Sequence, residues 1–537
     1  MDRQEPRYRW HVLAVLIVCL LVIVLDSTVL NVALKTLAEP RAGLGASQSQ
    51  LEWAVNSYTL VFAGLLLTAG VIGDKLGRKR VLAAGLAWFA TASLLCAYAR
   101  SPDQLIAARA AMGLGGAVIM PQTLSIITNV FDPAERPRAI AIWGASVGLA
   151  VAIGPVTGGL LLSRFWWGSV FLINVPIVAV GLAGVIRFVP ESRNPRPGKL
   201  DVSGVLLSIA GLVSLSYGVI QGGGTGHWAS LGALAPLTAG LILLALFTWH
   251  ESRIKNPALN VRLFGNPRLC CAVAAIILAF FSLSGVLFVT SFYLQNVRNY
   301  SPLRAGLLML PFAAGQLIFA PRSAIMVAKF GPKNVLTAGL LLVAAAYSGY
   351  ELMGAATPVW VLGVIFFVLG AGLVHILPPA NECLMAALPR EQAGSGSGIN
   401  STARQIAEAL GVAVLSSILT AGYRARMSPH LEFLSPALRT SATESIGATM
   451  AVAQHLGAAG AQLTAPAHAA FISAMHITLA AAVAVAVFGA VVVFAWMPAA
   501  PRPAAGIRER GGPTVRRSGN GPGTHPERLA ESSLNSH

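Results

Sequence analysis

The sequence predicts an all-α polytopic membrane protein: two related six-helix halves with two further helices inserted between them, fourteen transmembrane helices in all. Three observations carry this. Only 11% of the 537 residues are charged against 55% hydrophobic, less than half the charge of an ordinary soluble domain. Apolar stretches long enough to cross a hydrocarbon core of about 30 Å recur along nearly the whole chain, broken by short charged or Gly/Pro turns. A skeleton also repeats: Lys75-Leu76-Gly77-x-Lys79-x-Val81-Leu82-x-Ala84-Gly85-Leu86 returns 254 residues later as Lys329-Phe330-Gly331-x-Lys333-x-Val335-Leu336-x-Ala338-Gly339-Leu340. Gly113-x-Gly115 leading to Met120-Pro121 is echoed in the same order by Gly370-x-Gly372 leading to Leu377-Pro378. Two echoes in register imply a transporter built from two related halves.

Breaking the apolar pattern at charge or Gly/Pro clusters puts the spans at about 11–34, 52–72, 80–99, 105–128, 138–161, 168–190, 203–221, 229–249, 270–294, 304–327, 334–353, 358–380, 399–421 and 468–497. The first run follows a short basic start, as a signal peptide would. It is too long for one and carries Asp26 and Asn31, so it reads as a retained first span. The chain thus divides into a cytoplasmic tail (1–10), an N-terminal half (11–190), two inserted helices (203–249), a C-terminal half (268–497) with an external loop at about 422–466, and a basic tail (498–537). The loop is rich in Ala, Ser and Thr and points to no chemistry. The tail is rich in Pro, Gly, Ser and Arg and reads as disordered.

Charge fixes the expected orientation. Lys75, Arg78, Lys79 and Arg80, then Arg136 and Arg138, Arg187 to Lys199, Arg253 to Arg268, and Lys329 and Lys333 all fall on the side of the N-terminus. The opposite turns hold little beyond Arg41, Arg100, Arg164 and Arg298. The positive-inside rule then places both termini in the cytoplasm of a multi-pass cell-membrane protein. The net charge of +17 sits in these turns and the tail rather than on one face, which argues against a nucleic-acid partner. Cys19, Cys96, Cys270, Cys271 and Cys383 lie in or beside apolar runs without metal-type spacing and read as packing residues, so no metal or cofactor is expected. The absence of a GxxxxGK[ST] loop and of HExxH argues against an ATP-driven pump and a metalloenzyme. The chain reads as a non-enzyme.

Several motifs stand out from the apolar background. The turn Gly70, Asp74, Gly77, Arg78 and Lys79 combines a glycine for close helix approach, a glycine for a tight turn and an acid that can pair with basic groups. It suits a latch that holds one face shut, or a plain positive-inside loop. In the fifth span, Gly148, Gly154, Pro155, Gly158 and Gly159 combine close packing with a kink. The other half keeps Gly411 but has Val412 in place of Pro155. Arg109 lies deep in a span, where a charge is costly and faces a partner or a polar cavity. Asp26 shares a polar arc with Ser27 and Asn31 and is either a charge carrier or a hydrogen-bonded packing residue. Glu408 follows Arg404 by one helical turn, so the two can neutralise each other. His375 reads as a packing histidine. Trp53, Tyr58, Trp143, Phe281, Phe288, Tyr293 and Gln295 are the expected cavity lining, suited to bulky amphipathic ligands and to cations over ring faces.

With these residues on the page, the chain resembles the major facilitator superfamily, and within it the fourteen-span drug:proton antiporters of the QacA/EmrB kind, over about Trp10 to Trp496. The charged turn is similar to the superfamily's loop motif between its second and third helices. Leu25 to Leu34 resembles the first-helix motif of the fourteen-span group, with Lys35 where a proline is usual. Leu105, Arg109, Gly113 and Gly115 match the fourth-helix motif, with Met112 in place of a common glutamine, and the fifth-span glycines resemble the antiporter motif. The resemblance implies a major-facilitator fold and a proton-coupled multidrug efflux antiporter that exports lipophilic or cationic compounds by alternating access. It implies proton coupling through Asp26, Arg109 and Glu408, the bilayer, protons and a drug-like molecule as partners, and no cofactor. Two alternatives stay open: an exporter dedicated to one metabolite or self-made antibiotic on the same fold, and a non-transporting membrane sensor. An uptake symporter is disfavoured by the fifth-helix motif, and the oligomeric state is open, a monomer being compatible.

Overall fold

The computed structural model describes residues 6–132, 135–193, 201–254, 261–386 and 393–498, and every regular element among them is helical. The N-terminal half comprises α1 (Pro6–Ala38), α2 (Gln48–Leu76), α3 (Arg78–Ala97), α4 (Pro102–Val130), α5 (Arg136–Arg164) and the broken rod α6 (Ser169–Leu172) with α7 (Asn174–Phe188). The inserted pair is α8 (Val202–Thr225) and α9 (Leu231–Arg253). The C-terminal half comprises α10 (Pro267–Phe292), α11 (Pro302–Leu307) with α12 (Leu310–Phe330), α13 (Pro332–Ser348), α14 (Val359–Val374) with α15 (Leu377–Ala386), α16 (Ala393–Met427) and α19 (Thr464–Trp496). Between α16 and α19 lie two short helices, α17 (Pro436–Glu444) and α18 (Ile446–Leu456).

Helix starts follow local chemistry. The Ser47 side chain accepts from the Gln50 N–H while the Gln50 side chain accepts from the Ser47 N–H, closing a capping box at the head of α2. Ser101 caps α4 and Ser301 caps α11, each with a proline in the first turn. The sequence repeat is visible in the backbone. Gly77 and Gly331, at φ 108° and 81°, make the same break between α2 and α3 and between α12 and α13, a region side-chain-bearing residues avoid.

Among the described residues, twelve helices are long and apolar enough to cross a membrane, or thirteen with the bent α2 taken as one span. The remaining long rod, α5, falls where the fifth span is expected, and several of its side chains between 141 and 152, Gly148 among them, lie outside the described residues. Within the N-terminal half α1 packs on α5 and α7, and α4 on α2 and α3; in the other half α10 packs on α16, α12 on α14, and α13 on α19. The inserted α8 packs on α9 and also on α2 and α16, so it lies along a line where the two halves meet.

Two boundaries differ from the sequence reading. The expected 1–10 tail is helical from Pro6, because Tyr8 donates to the Phe188 carbonyl and Arg9 pairs with Asp132 and Glu135. The loop expected at 422–466 is ordered: α16 continues to Met427, and Ser435 and Ser445 stand at the N-caps of α17 and α18. Tyr423 on α16 bonds Thr449 on α18 at 2.6 Å, which ties this segment down. The basic tail from 499 onward lies outside the described residues.

Candidate functional site

Arg109 and Asp26 are 1% and 2% exposed, and α4 and α1 bring them into an ion pair. The Arg109 Nε also donates to the Ala54 carbonyl of α2 at 3.0 Å, and its guanidinium lies 4.4 Å from the centre of the Tyr58 ring. The second Asp26 oxygen accepts from Asn174 Nδ2 of α7 at 3.1 Å. Asn174 Nδ2 also donates to Ser93 Oγ of α3 at 3.1 Å, and Ser93 donates to the Phe171 carbonyl at 2.7 Å. Five helices therefore meet at one buried charge pair. Neither side chain is open to solvent, so each charge depends on the other and on these donors.

The pairing was not legible in the sequence, and Ser93 and Asn174 were missed as isolated polar residues in apolar runs. The expected polar arc on α1 is corrected. At 3.6 residues per turn, Asp26 points about 100° from Ser27 and about 140° from Asn31. Asp26 turns into its own half, whereas Ser27 is exposed. In the other half Arg404 and Glu408 do pair, Nε to Oε1 at 3.6 Å, with side chains 24% and 27% exposed. Tyr58 lies within electrostatic reach of both pairs.

The other expected lining residues divide by contact. Trp53 packs against Tyr217, with ring centres 6.1 Å apart, at the joint of α2, α8 and α16. Phe288 packs on Phe292 with centres 5.2 Å apart, and Tyr293 Oη donates to the Gly354 carbonyl at 2.7 Å, both rings fully buried. Phe288 and Tyr293, with no exposed surface, are packing residues rather than cavity walls, whereas Trp53 is half-buried. Phe281 is half-buried against the core, and Trp143 packs beside Leu20 and Val24, its buried Nε1 without a partner among the described residues. His375 is a packing residue, bonded through Nδ1 to the Ala371 carbonyl at 2.6 Å.

Gln295 belongs to a seal. On the face opposite the N-terminus, Ser291 donates to the Asn31 carbonyl, Gln295 Nε2 to the Val32 carbonyl at 2.9 Å, and Lys35 Nζ to the Gln295 carbonyl at 2.6 Å. These bonds tie α1 to the π-turn Tyr293–Val297 after α10. A second seam joins α5 to α11. A Cβ on Gly159 would strike the Pro302–Leu303 backbone, and one on Gly306 would strike the Pro155 backbone. Gly154 and Gly158 face Thr28 and Val29 of α1 on the other side of the same helix.

On the N-terminal face, Arg78 bonds Asp74 through Nε at 2.9 Å and reaches the Ser125 carbonyl at 3.3 Å. Lys79 donates its N–H to Glu191 at 3.2 Å and its Nζ to the Ile186 carbonyl at 2.9 Å. The charged turn is thus tied to α4 and to the end of α7, all within its own half. Gly70 is not the close-approach position expected, having only ordinary contact with Pro121; Gly73 is, with the Gln122 amide filling its side-chain space. No group of metal-binding side chains occurs among the described residues.

The family model of the Major Facilitator Superfamily matches residues 16–412. The chain belongs to that superfamily. It is 37% identical over 491 residues to the multidrug efflux pump LfrA of Mycolicibacterium smegmatis, covering 89% of this chain and 96% of the relative. It is 31% identical to the tetracenomycin C resistance and export protein of Streptomyces glaucescens, covering 92% of each. In fold it is similar to a crystal structure of a bacterial homologue of the lysosomal transporter Spinster in an inward-facing, unoccupied conformation, with TM-score 0.63 at 16% identity over 92% of this chain and 98% of that one.

Proposed function

We propose that this chain is a fourteen-span, proton-driven exporter of lipophilic, often cationic, small molecules, working by alternating access with both termini in the cytoplasm. The observation that carries the reading is the buried Asp26–Arg109 pair. A proton delivered to Asp26 removes the only anion bonded to Arg109 among the described residues, and the guanidinium must then re-form its contacts. That change acts on α1, and the same helix carries Asn31, Val32 and Lys35 of the seal less than three turns away. Protonation and opening are thereby linked through one rigid rod. Basic residues concentrated in the turns on the N-terminal side support the cytoplasmic assignment, which makes the sealed face the external one.

Efflux pumps and resistance proteins among the relatives support a drug-like cargo. The antibiotic export protein at 31% identity supports a narrower second reading, export of one self-made antibiotic. Both are tested by purified protein in liposomes, acid outside and neutral inside relative to the exporter's orientation, against a panel of lipophilic cations and polyketide antibiotics. Gradient-driven flux of several unrelated compounds supports the broad reading. Flux of one class alone supports the narrow one, and no flux of any contradicts both.

A further inference from the structure

We propose that Glu52 is a proton-binding site of the external gate, loaded and emptied from outside and separate from the Asp26–Arg109 pair. The proposal rests on the orientation and the alternating access of the preceding reading, but not on Asp26 carrying the transported proton.

Glu52 lies one turn into α2 and is 3% exposed. Its neighbours are neutral: Gln48 Nε2 donates to Oε1 at 3.5 Å, and the Ser416 hydroxyl of α16, which donates to the Ala413 carbonyl at 3.2 Å, lies beside it. None of the ion pairs among the described residues includes it. It also lines a cleft of about 630 Å³ on the sealed face, with Ser47, Gln48, Thr420, Arg424 and Glu444 around it. The cleft is where α2 of one half, α16 of the other and α17 of the ordered external segment come together.

Every charged group facing Glu52 has other engagements or stands at the rim. Arg439 gives its guanidinium to the carbonyls of Leu431, Glu432 and Leu434. Glu444 on α17 is half-buried, and that burial pushes its carboxyl up against the pull of Arg424 on α16. His227, in the turn between α8 and α9, is exposed. With the gate shut, an ionised Glu52 would keep its charge among neutral donors, at a cost. When the gate opens, α2 and α16 part, Ser416 leaves with α16, and the carboxylate meets water from the cleft. One proton from external water therefore binds as the gate shuts and returns to the same side as it opens. It adds nothing to the number of protons carried across, but external acid favours the shut gate.

The test uses the full-length protein in lipid nanodiscs without substrate or gradient, so that failure of drug transport leaves its outcome unaffected. Spin labels at Ser49→Cys on α2 and Ala425→Cys on α16 report the separation of the two helices across pH 5 to 8. The shut-to-open ratio of the labelled parent, divided by that of Glu52→Gln at the same pH so that the responses of Asp26 and the other groups common to both cancel, should rise on acidification by up to about tenfold per pH unit, the limit for one proton. Glu52→Gln should be more shut than the parent at pH 8, and Glu52→Asp should keep the parental dependence with a displaced midpoint. Glu52→Gln responding to pH as the parent does, with the same shut fraction at pH 8, would overturn the proposal. Should Glu52→Gln fail to insert, Ser416→Ala stands in: a displaced midpoint supports the site and an unmoved one refutes it.

Discussion

Asp26 and Arg109 hold charges that neither could keep alone. With the Arg109 side chain 1% exposed, Asp26→Asn leaves a guanidinium in a dry site with no anion, a change that costs about 3–5 kcal/mol in buried pairs. The double variant Asp26→Asn/Arg109→Gln removes both charges and should unfold closer to the parent than Asp26→Asn does, measured by thermal unfolding in detergent followed through tryptophan fluorescence. Simple addition of the two single effects would show that the residues do not act as a pair. Glu408→Gln breaks a looser pair, Nε to Oε1 at 3.6 Å with the Glu408 side chain 27% exposed, so it should lower stability by less than Asp26→Asn does. At this scale the sequence marked ions that turn out to be paired, because charges in apolar spans are conspicuous. It could not mark the pair, since two positions 83 residues apart carry no signal that they meet. Glu52 escaped notice for the opposite reason, lying at a span boundary where an acid is unremarkable.

Helices bring these residues together, and their seams decide which face is shut. The fifth-span glycines were legible as a packing face from spacing alone, but not that the face is divided. Gly154 and Gly158 meet α1, whereas Gly159 meets α11 of the other half. Gly159→Leu should therefore wedge the α5–α11 seam open while α1 stays packed. A cysteine at Ser291, buried in the neighbouring seal, should then react with a membrane-impermeant maleimide several-fold faster than in a Gly159 background. Equal labelling rates would place the seam elsewhere. Lys35 tells a similar story: the sequence showed a departure from the first-helix motif, and the structure gives it work, donating to the Gln295 carbonyl at the turn after α10. Cavity-lining aromatics were the least legible feature, because a ring in an apolar span packs on a neighbour as readily as on a ligand.

For the whole molecule, the repeat and the composition were enough to set the fold, since two echoes in register require two equivalent halves and the low charge requires a bilayer. The inserted pair was readable only as two extra spans; that α8 lies against both α2 and α16 is a fact of packing. Reporter fusions after His227 and after Met497 should report opposite sides of the membrane, and the same side for both would remove the inserted pair from the bilayer. The central claim is that protons drive export through Asp26. Its most direct test is acidification inside inverted vesicles followed by addition of a lipophilic cation, with drug-dependent proton release read by a pH-sensitive dye. The parent and Asp26→Glu should release protons when the cation is added, Asp26→Glu more slowly, and Asp26→Asn should release none while still binding the cation. Proton release by Asp26→Asn at the parental rate would contradict the account.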